Sequence, residues 1–255
     1  MFSYITSLLS DPKQTLIFFL LAFPGRILAI SAHEFAHAWV ANRCGDPTAR
    51  MMGRMTLNPA KHLDLLGTLM MLLLGFGWAK PVPENPRNFK NYRKDDLMVS
   101  LAGIAMNLLL FLLGYLLCAA LLFVALKRVG LANVANANEL MRYAADISPS
   151  FMEQTLGRLT SYIYQMLQYF VYVNISLAIF NLLPVPPLDG YHVVNDLILK
   201  RDLFASQKAA RIAMGVLFAL MFTGLLGDAL GYAVDGALQA VGYLTQRLFA
   251  IFGLI

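Results

Sequence analysis

Long apolar runs alternate along this chain with short basic ones, and the runs are too long for soluble helices. Residues 97–126 contain no Asp, Glu, Lys, Arg or His over 30 positions, and residues 159–188 repeat this over another 30. Residues 212–234 carry a single charge, Asp228. A helix of about 20 apolar residues crosses the hydrocarbon core of a bilayer, so these stretches predict spanning helices. A fourth run, about 14–41, is interrupted by Arg26, His33, Glu34 and His37 and closed by Gly45 and Pro47, an ordinary helix stop. Its length, weak basic start and lack of a small-residue cleavage site make it a span and not a cleaved leader.

Residues 65–79 are apolar over only 15 positions and hold Gly67, Gly75 and Gly77. That is short for a crossing and predicts a re-entrant segment sheltered by protein. Charge supports it. Segments 42–64, 80–96 and 200–211 carry thirteen Lys and Arg, against five in 1–13 and 127–160. If 65–79 dips in and returns, all three basic segments face the cytoplasm, as the positive-inside rule prefers. The tail 235–255 reads as a short span or an interfacial amphipathic helix.

The expected fold is therefore all-α and polytopic, with four to five transmembrane helices, a re-entrant segment and a short extended Pro-rich loop. One domain is expected over 1–255, with a catalytic core at about 14–200 and C-terminal helices at about 209–255. Composition agrees: 58% of residues are hydrophobic and 14% charged, where soluble domains run near 45–50% and 25%. The net charge of +5 sits in the loops, which reads as an orientation signal and not as nucleic-acid binding. Cys44 falls on the reducing side and Cys118 inside a span, so both are expected as free thiols.

Within the first span the chain reads Ala-His33-Glu34-Phe-Ala-His37. Histidines at i and i+4 lie about 40° apart on a helix, so both imidazoles project from one face. Glu34 beside them is placed to act on water. This is the H-E-x-x-H logic of metallopeptidases, with Zn²⁺ the default metal. Three ionisable groups within five residues of a span carry a heavy cost unless they are functional. A catalytic zinc takes three protein ligands. The remaining histidines are His62 and His192, and the nearby acids are Asp64, Glu84, Asp95, Asp96, Asp189 and Asp196. Asp189 stands out. It ends Asn181-Leu-Leu-Pro184-Val-Pro186-Pro187-Leu-Asp189-Gly190, where prolines unwind the helix and leave a loop able to aim a carboxylate.

These residues resemble the site-2 protease family of intramembrane zinc metalloproteases, in its compact subgroup without a PDZ or cystathionine-synthase-type domain. The resemblance rests on four elements in order across about 25–195. They are the H-E-x-x-H in a span, Gly77-Trp-Ala-Lys-Pro-Val-Pro-Glu-Asn-Pro86, Ala102-Gly-x-x-x-Asn107, and the Asn-x-x-Pro-x-Pro-Pro-Leu-Asp-Gly that closes a later span. The family often has Pro where this chain has Ile104, a difference of local helix shape. The resemblance implies His33, His37 and Asp189 as ligands of one Zn²⁺ per chain and Glu34 as the general base. It implies hydrolysis of peptide bonds in a membrane-spanning protein substrate, in or beside the lipid bilayer of the cell membrane; the topology read from the charges places the site toward the cytoplasm.

An oxyanion donor is also required. Asn181 is the candidate, with Asn107 and Asn174 as weaker ones and a helix–helix hydrogen bond as the alternative role. The Pro-rich stretch 75–90 offers an extended edge for strand addition to an unwound substrate. His62 and Asp64 are expected to serve structure or substrate gating, Arg26 to snorkel or pair with a carboxylate, and the methionines to pack. A metal-dependent secondary transporter is the alternative function, since broken helices and polar groups at depth occur there too.

Overall fold

The computed structural model describes residues 10–74, 77–130, 144, 147–200, 203, 204 and 206–251. Helix α1 (Pro12–Cys44) begins on Pro12, with Asp11 accepting from the Gln14 N–H at 3.0 Å. It ends where Gly45 turns left-handed at φ 112° and returns its N–H to Ala41. The short α2 (Thr48–Met51) follows, then α3 (Leu65–Leu74), the long α4 (Tyr92–Arg128), α5 (Pro149–Leu156) and α6 (Arg158–Asn181). Next come α7 (Asp189–Val193), a wider π-type turn over Val194–Leu199, α8 (Gln207–Thr223) and α9 (Leu225–Ile251). Among the described residues the only β pairing is a single bridge between Leu63 and Ala79.

Helices α1, α4 and α6 pack together as the centre of the molecule. The inner face of α1 is small, with Ala22, Ala29, Ala32, Ala36, Ala38 and Ala41 all buried. Without a hydrophobic force between helices in lipid, such small faces let backbones approach closely and gain dispersion. Helix α4 contributes Phe111, Tyr115 and Leu122 and α6 contributes Tyr164, Val171 and Ile175 to one buried cluster, sealed by Val234 and Leu238 of α9. The opposite face of α4 exposes Leu108, Leu109, Leu112, Leu113, Leu116 and Leu117. In water that stripe would be an aggregation surface; against hydrocarbon it is the natural contact. Three helices, α1, α4 and α6, are long and apolar enough to span, and α8 with α9 makes a fourth if that bent pair counts as one. The protein is an all-α polytopic membrane protein with three to four candidate spans, against the expected four to five.

Two expectations meet different outcomes. The ten residues of α3 rise about 15 Å, half of a roughly 30 Å hydrocarbon core. The chain then comes straight back: Leu63 bridges Ala79 and the Lys80 N–H donates to the His62 carbonyl at 2.8 Å. Gly67 has no room for a Cβ because the Trp78 backbone lies against it. Segment 65–79 therefore enters and leaves on the same side, as a re-entrant segment must; its Gly75 lies outside the described residues. The predicted 212–234 span, by contrast, is not continuous. Gly224 turns left-handed at φ 87° and α9 departs from α8 at 79°. Residues 235–251 continue α9 and form no separate helix, while 252–255 lie outside the described residues. Hydropathy runs smoothly through the break and gives no sign of it.

Candidate metal centre

His33 and His37 project from one face of α1, as their spacing predicts, with their Nε2 atoms 3.0 Å apart and both side chains buried. Their far nitrogens are held. His33 Nδ1 lies 2.7 Å from Asn107 Oδ1 and His37 Nδ1 lies 2.8 Å from the Val99 carbonyl, both on α4. Both partners are acceptors. Asn107 is oriented unambiguously, because its Nδ2 donates to the Ala29 carbonyl and to Asn174 Oδ1 at 2.9 Å. Each Nδ1 therefore carries a proton, and in the neutral imidazoles each Nε2 presents its lone pair.

The third group arrives from the far end of α6. Helix α6 stops at Asn181, and residues 182–188 fold into tight turns, Val185 donating to Leu183 and Leu188 to Val185. Gly190 packs onto the carbonyls of Leu182 and Leu183 with no space for a Cβ, which fixes where Asp189 begins α7. Asp189 Oδ2 lies 3.4 Å from both imidazole Nε2 atoms, and that oxygen is buried without a hydrogen-bond donor.

Three acceptor atoms thus face one another at 3.0, 3.4 and 3.4 Å. Lone pairs so close repel unless a cation lies between them. A tetrahedral site with ligand bonds of about 2.0–2.1 Å has edges of about 3.3 Å, so the residues fit zinc in size as well as in donor chemistry. Among the described residues this is the one cluster of His, Cys, Asp and Glu able to hold a metal.

Glu34 sits one residue along α1, and its Oε2 accepts the Val82 N–H at 2.8 Å. That amide belongs to the Pro-rich stretch, which is tied down at both ends. The buried Arg54 donates through Nη2 to the carbonyls of Lys80 and Pro81, at 2.6 and 3.2 Å. The buried Asp46 accepts the Asn85 N–H at 2.7 Å and the Asn88 amide at 2.8 Å. Burial alone would raise the Asp46 carboxyl, but hydrogen bonds from Thr48, Asn85 and Asn88 overcome it and hold the group below its usual range.

Other expectations fall out differently. Asn107 and Asn174 are fully buried and engaged with His33, with each other and with backbone carbonyls, so they stand behind the metal centre. His62 is buried with its Nε2 on the Thr56 carbonyl, and Asp64 caps α3 through the Gly67 N–H. Both shape the re-entrant segment, and neither joins the metal cluster. Arg26 stacks its guanidinium 5.8 Å from the Phe18 ring centre. Cys44 and Cys118 are free, as expected. Sequence reasoning did not foresee Gly103, where a Cβ would run into both imidazoles. Its signal was present in Ala102-Gly-x-x-x-Asn107, whose Gly103 and Asn107 prove to be a ring contact and a ring acceptor one helical turn apart.

A membrane helix bundle enclosing a His, His and Asp cluster is compatible with a zinc metalloprotease, and the family comparison shows that class. Residues 19–224 match Peptidase family M50, and the chain belongs to that family. It is 35% identical over 202 residues to the "Putative zinc metalloprotease YwhC" of Bacillus subtilis, covering 79% of this chain and 80% of that protein. It is 27% identical over 250 residues to the "Putative zinc metalloprotease Rip2" of Mycobacterium tuberculosis, covering 92% of this chain and 82% of that protein. No solved structure matches the chain.

Proposed function

We propose that this zinc metalloprotease cleaves membrane-spanning protein substrates within or beside the bilayer, with Glu34 as the general base. Zinc, when bound, supplies a Lewis acid that polarises the scissile carbonyl and lowers the pKa of water. His33, His37 and Asp189 hold it, with Asn107 and the Val99 carbonyl keeping both imidazoles in the ligating tautomer. Glu34 takes a proton from the attacking water and returns one to the leaving amine. Asn181, at the end of α6 and eight residues before Asp189, is the amide assigned to the developing oxyanion. The catalytic residues form one domain, embedded in the cell membrane with its site toward the cytoplasm, the side on which the basic segments gather. The family is one of peptidases and the relatives carry the name of zinc metalloproteases, which supports proteolysis over transport.

One observation carries this reading: three convergent lone-pair donors lie on and beside the helix that carries the Glu34 carboxylate, which accepts the Val82 N–H, inside a bundle clad in leucine. The test compares wild type and Glu34→Gln, purified and incubated with a panel of single-span proteins, with zinc measured in both. Glu34→Gln should keep its zinc and lose cleavage by about 10²–10⁴-fold, the usual weight of a positioned acid–base group. Equal cleavage would remove Glu34 from the mechanism.

A further inference from the structure

Three basic side chains meet in a pocket separate from the metal centre. Arg93, in the first turn of α4, and Lys200, just after the π-type turn, line a cavity of about 230 Å³ with Tyr191, His192, Asp96 and Asp196. That is below the roughly 300–1,000 Å³ of a pocket for a drug-sized ligand, so the recess suits a small group. Its acids are largely engaged with their neighbours. Asp96 is buried, faces His192 Nδ1 at 2.9 Å and hydrogen bonds to Asp196. A bond between two carboxyl groups needs a proton between them, so the two acids together keep one negative charge, and His192 lies against it. Arg93 and Lys200 are both exposed and supply positive charge beyond that balance. Among the described residues, Arg93 spends one of its five N–H donors, on the Lys200 carbonyl at 2.7 Å. Lys200 holds a left-handed φ of 54°, alone among the described non-glycine residues, and such strained backbone recurs where a ligand is clamped.

The pocket sits where α4 enters the lipid. Arg93, Lys94, Asp95 and Asp96 are followed by no ionisable residue from 97 to 126, so the charged first turn marks the edge of the hydrocarbon. Beside it, Leu197 and Ile198 of the π-type turn expose their side chains. A basic recess next to an apolar rim matches the two parts of a phospholipid, a phosphate and its acyl chains. We propose that this pocket is a phosphate-binding site, with Arg93 and Lys200 as its donors and the headgroup of an anionic phospholipid as its ligand. The Arg93 fork offers paired N–H groups to two phosphate oxygens, and Lys200 adds a mobile point charge. Basic pockets between membrane helices take anionic headgroups by this chemistry. A free phosphate ion carries the same chemistry; the exposed Leu197 and Ile198 favour the lipid, because only the lipid covers them.

The test uses the full chain with zinc, in detergent and freed of lipid. It is mixed with dioleoyl phosphatidylglycerol, with dioleoylglycerol, which has the same chains and no phosphate, or with inorganic phosphate. Native mass spectrometry counts the lipids that stay bound, and the His192 ring resonances report on the pocket itself. Wild type should retain one phosphatidylglycerol more than Lys200→Gln, whose backbone carbonyl still anchors Arg93. It should also bind that lipid at least tenfold more tightly, the weight of one charge-assisted hydrogen bond. Arg93→Lys, which keeps the charge and loses the fork, should fall between the two. Unchanged zinc content in both variants should show that the fold is intact. Inorganic phosphate should move the His192 resonances only weakly; a free ion bound as tightly as the lipid keeps the phosphate site and overturns the lipid as its ligand. Dioleoylglycerol bound as tightly as phosphatidylglycerol, or phosphatidylglycerol binding that Lys200→Gln leaves unchanged, overturns the proposal. None of these readouts requires turnover, so the site stands or falls independently of Glu34.

Discussion

Two clusters of histidine and aspartate lie near each other on the chain, and only one is built for a metal. In the first, His33 and His37 give their Nδ1 protons to neutral oxygens, those of Asn107 and Val99, and turn bare Nε2 atoms toward Asp189. In the second, three residues beyond Asp189, His192 turns its Nδ1 directly onto the Asp96 carboxylate at 2.9 Å. Asp196 completes that second group by hydrogen bonding to Asp96. The Asp96 bond raises the His192 imidazole above its ordinary pKa, outweighing the burial that lowers it, so the pair satisfies itself as imidazolium and carboxylate. The first cluster has two histidines and one aspartate and the second one histidine and two aspartates; they differ also in what stands against each ring. Two rings held from behind converge with Asp189 on one point and can share a cation there, whereas the single His192 ring pairs with Asp96 and has no second imidazole beside it.

Removing one carboxylate should break the first cluster and leave the second intact. Asp189→Ala takes away a first-line ligand, so zinc should fall from about one ion per chain to background and cleavage should vanish. His192→Gln, close by in sequence, should retain full zinc. Elemental analysis of the two purified variants decides the matter, and equal loss of zinc from both would erase the distinction drawn above.

A smaller effect should follow from changing only what stands behind the ring. Asn107→Leu keeps the volume of α4 but removes the acceptor for His33 Nδ1 and the donor to Asn174 Oδ1. Losing a partner that orients a metal-bound histidine costs about 10–100-fold in metal affinity. Each buried polar group left unpaired costs a further 1–3 kcal/mol or so of stability. Competition against a chelator should show zinc released in that range while Asp189→Ala binds none. Wild-type affinity in Asn107→Leu would mean that the tautomer needs no support from α4.

How much of this was legible in sequence follows the range of each signal. Local spacing gave the His33 and His37 pair, because helical periodicity alone places i and i+4 together. Asp189 was distinguished by its prolines, which announce irregular backbone at the end of an apolar run. The re-entrant segment was legible through its length and through the charges on either side of it. What stayed hidden depends on contact between distant segments. Asn107 lies 74 residues from His33, and an amide in a span reads equally as an oxyanion donor, a helix–helix bond or a second line behind a ligand. Arg54 and Asp46 look like ordinary loop charges, and only packing shows them buried and clamping the Pro-rich stretch. The break at Gly224 was hidden because glycine also occurs at 215, 227 and 231, where the helices run on undisturbed.

The smallest effect separates the clusters by pH. Burial, with Asp96 adding to it, raises the Asp196 carboxyl to about 6 from an ordinary 3.8, against smaller opposing pulls from His192 and Arg93. Between those values the folded protein holds a proton that the unfolded chain has released. The unfolded state then binds fewer protons, and stability falls as pH rises through that window. His192 works alongside with its own sign: a raised imidazole stabilises below its ordinary 6.5 and loses that contribution as pH climbs through its higher folded value. Asp196→Asn deletes the first titration and leaves His192 and Asp96 in place. The melting temperature of Asp196→Asn minus that of wild type should therefore grow from pH 4 to pH 6 and level off above it. Protonation of the zinc ligands affects both proteins equally and cancels in the difference. A difference that stays flat across the window would mean that Asp196 titrates as it does in the unfolded chain, and the second cluster would then reduce to the His192–Asp96 pair alone.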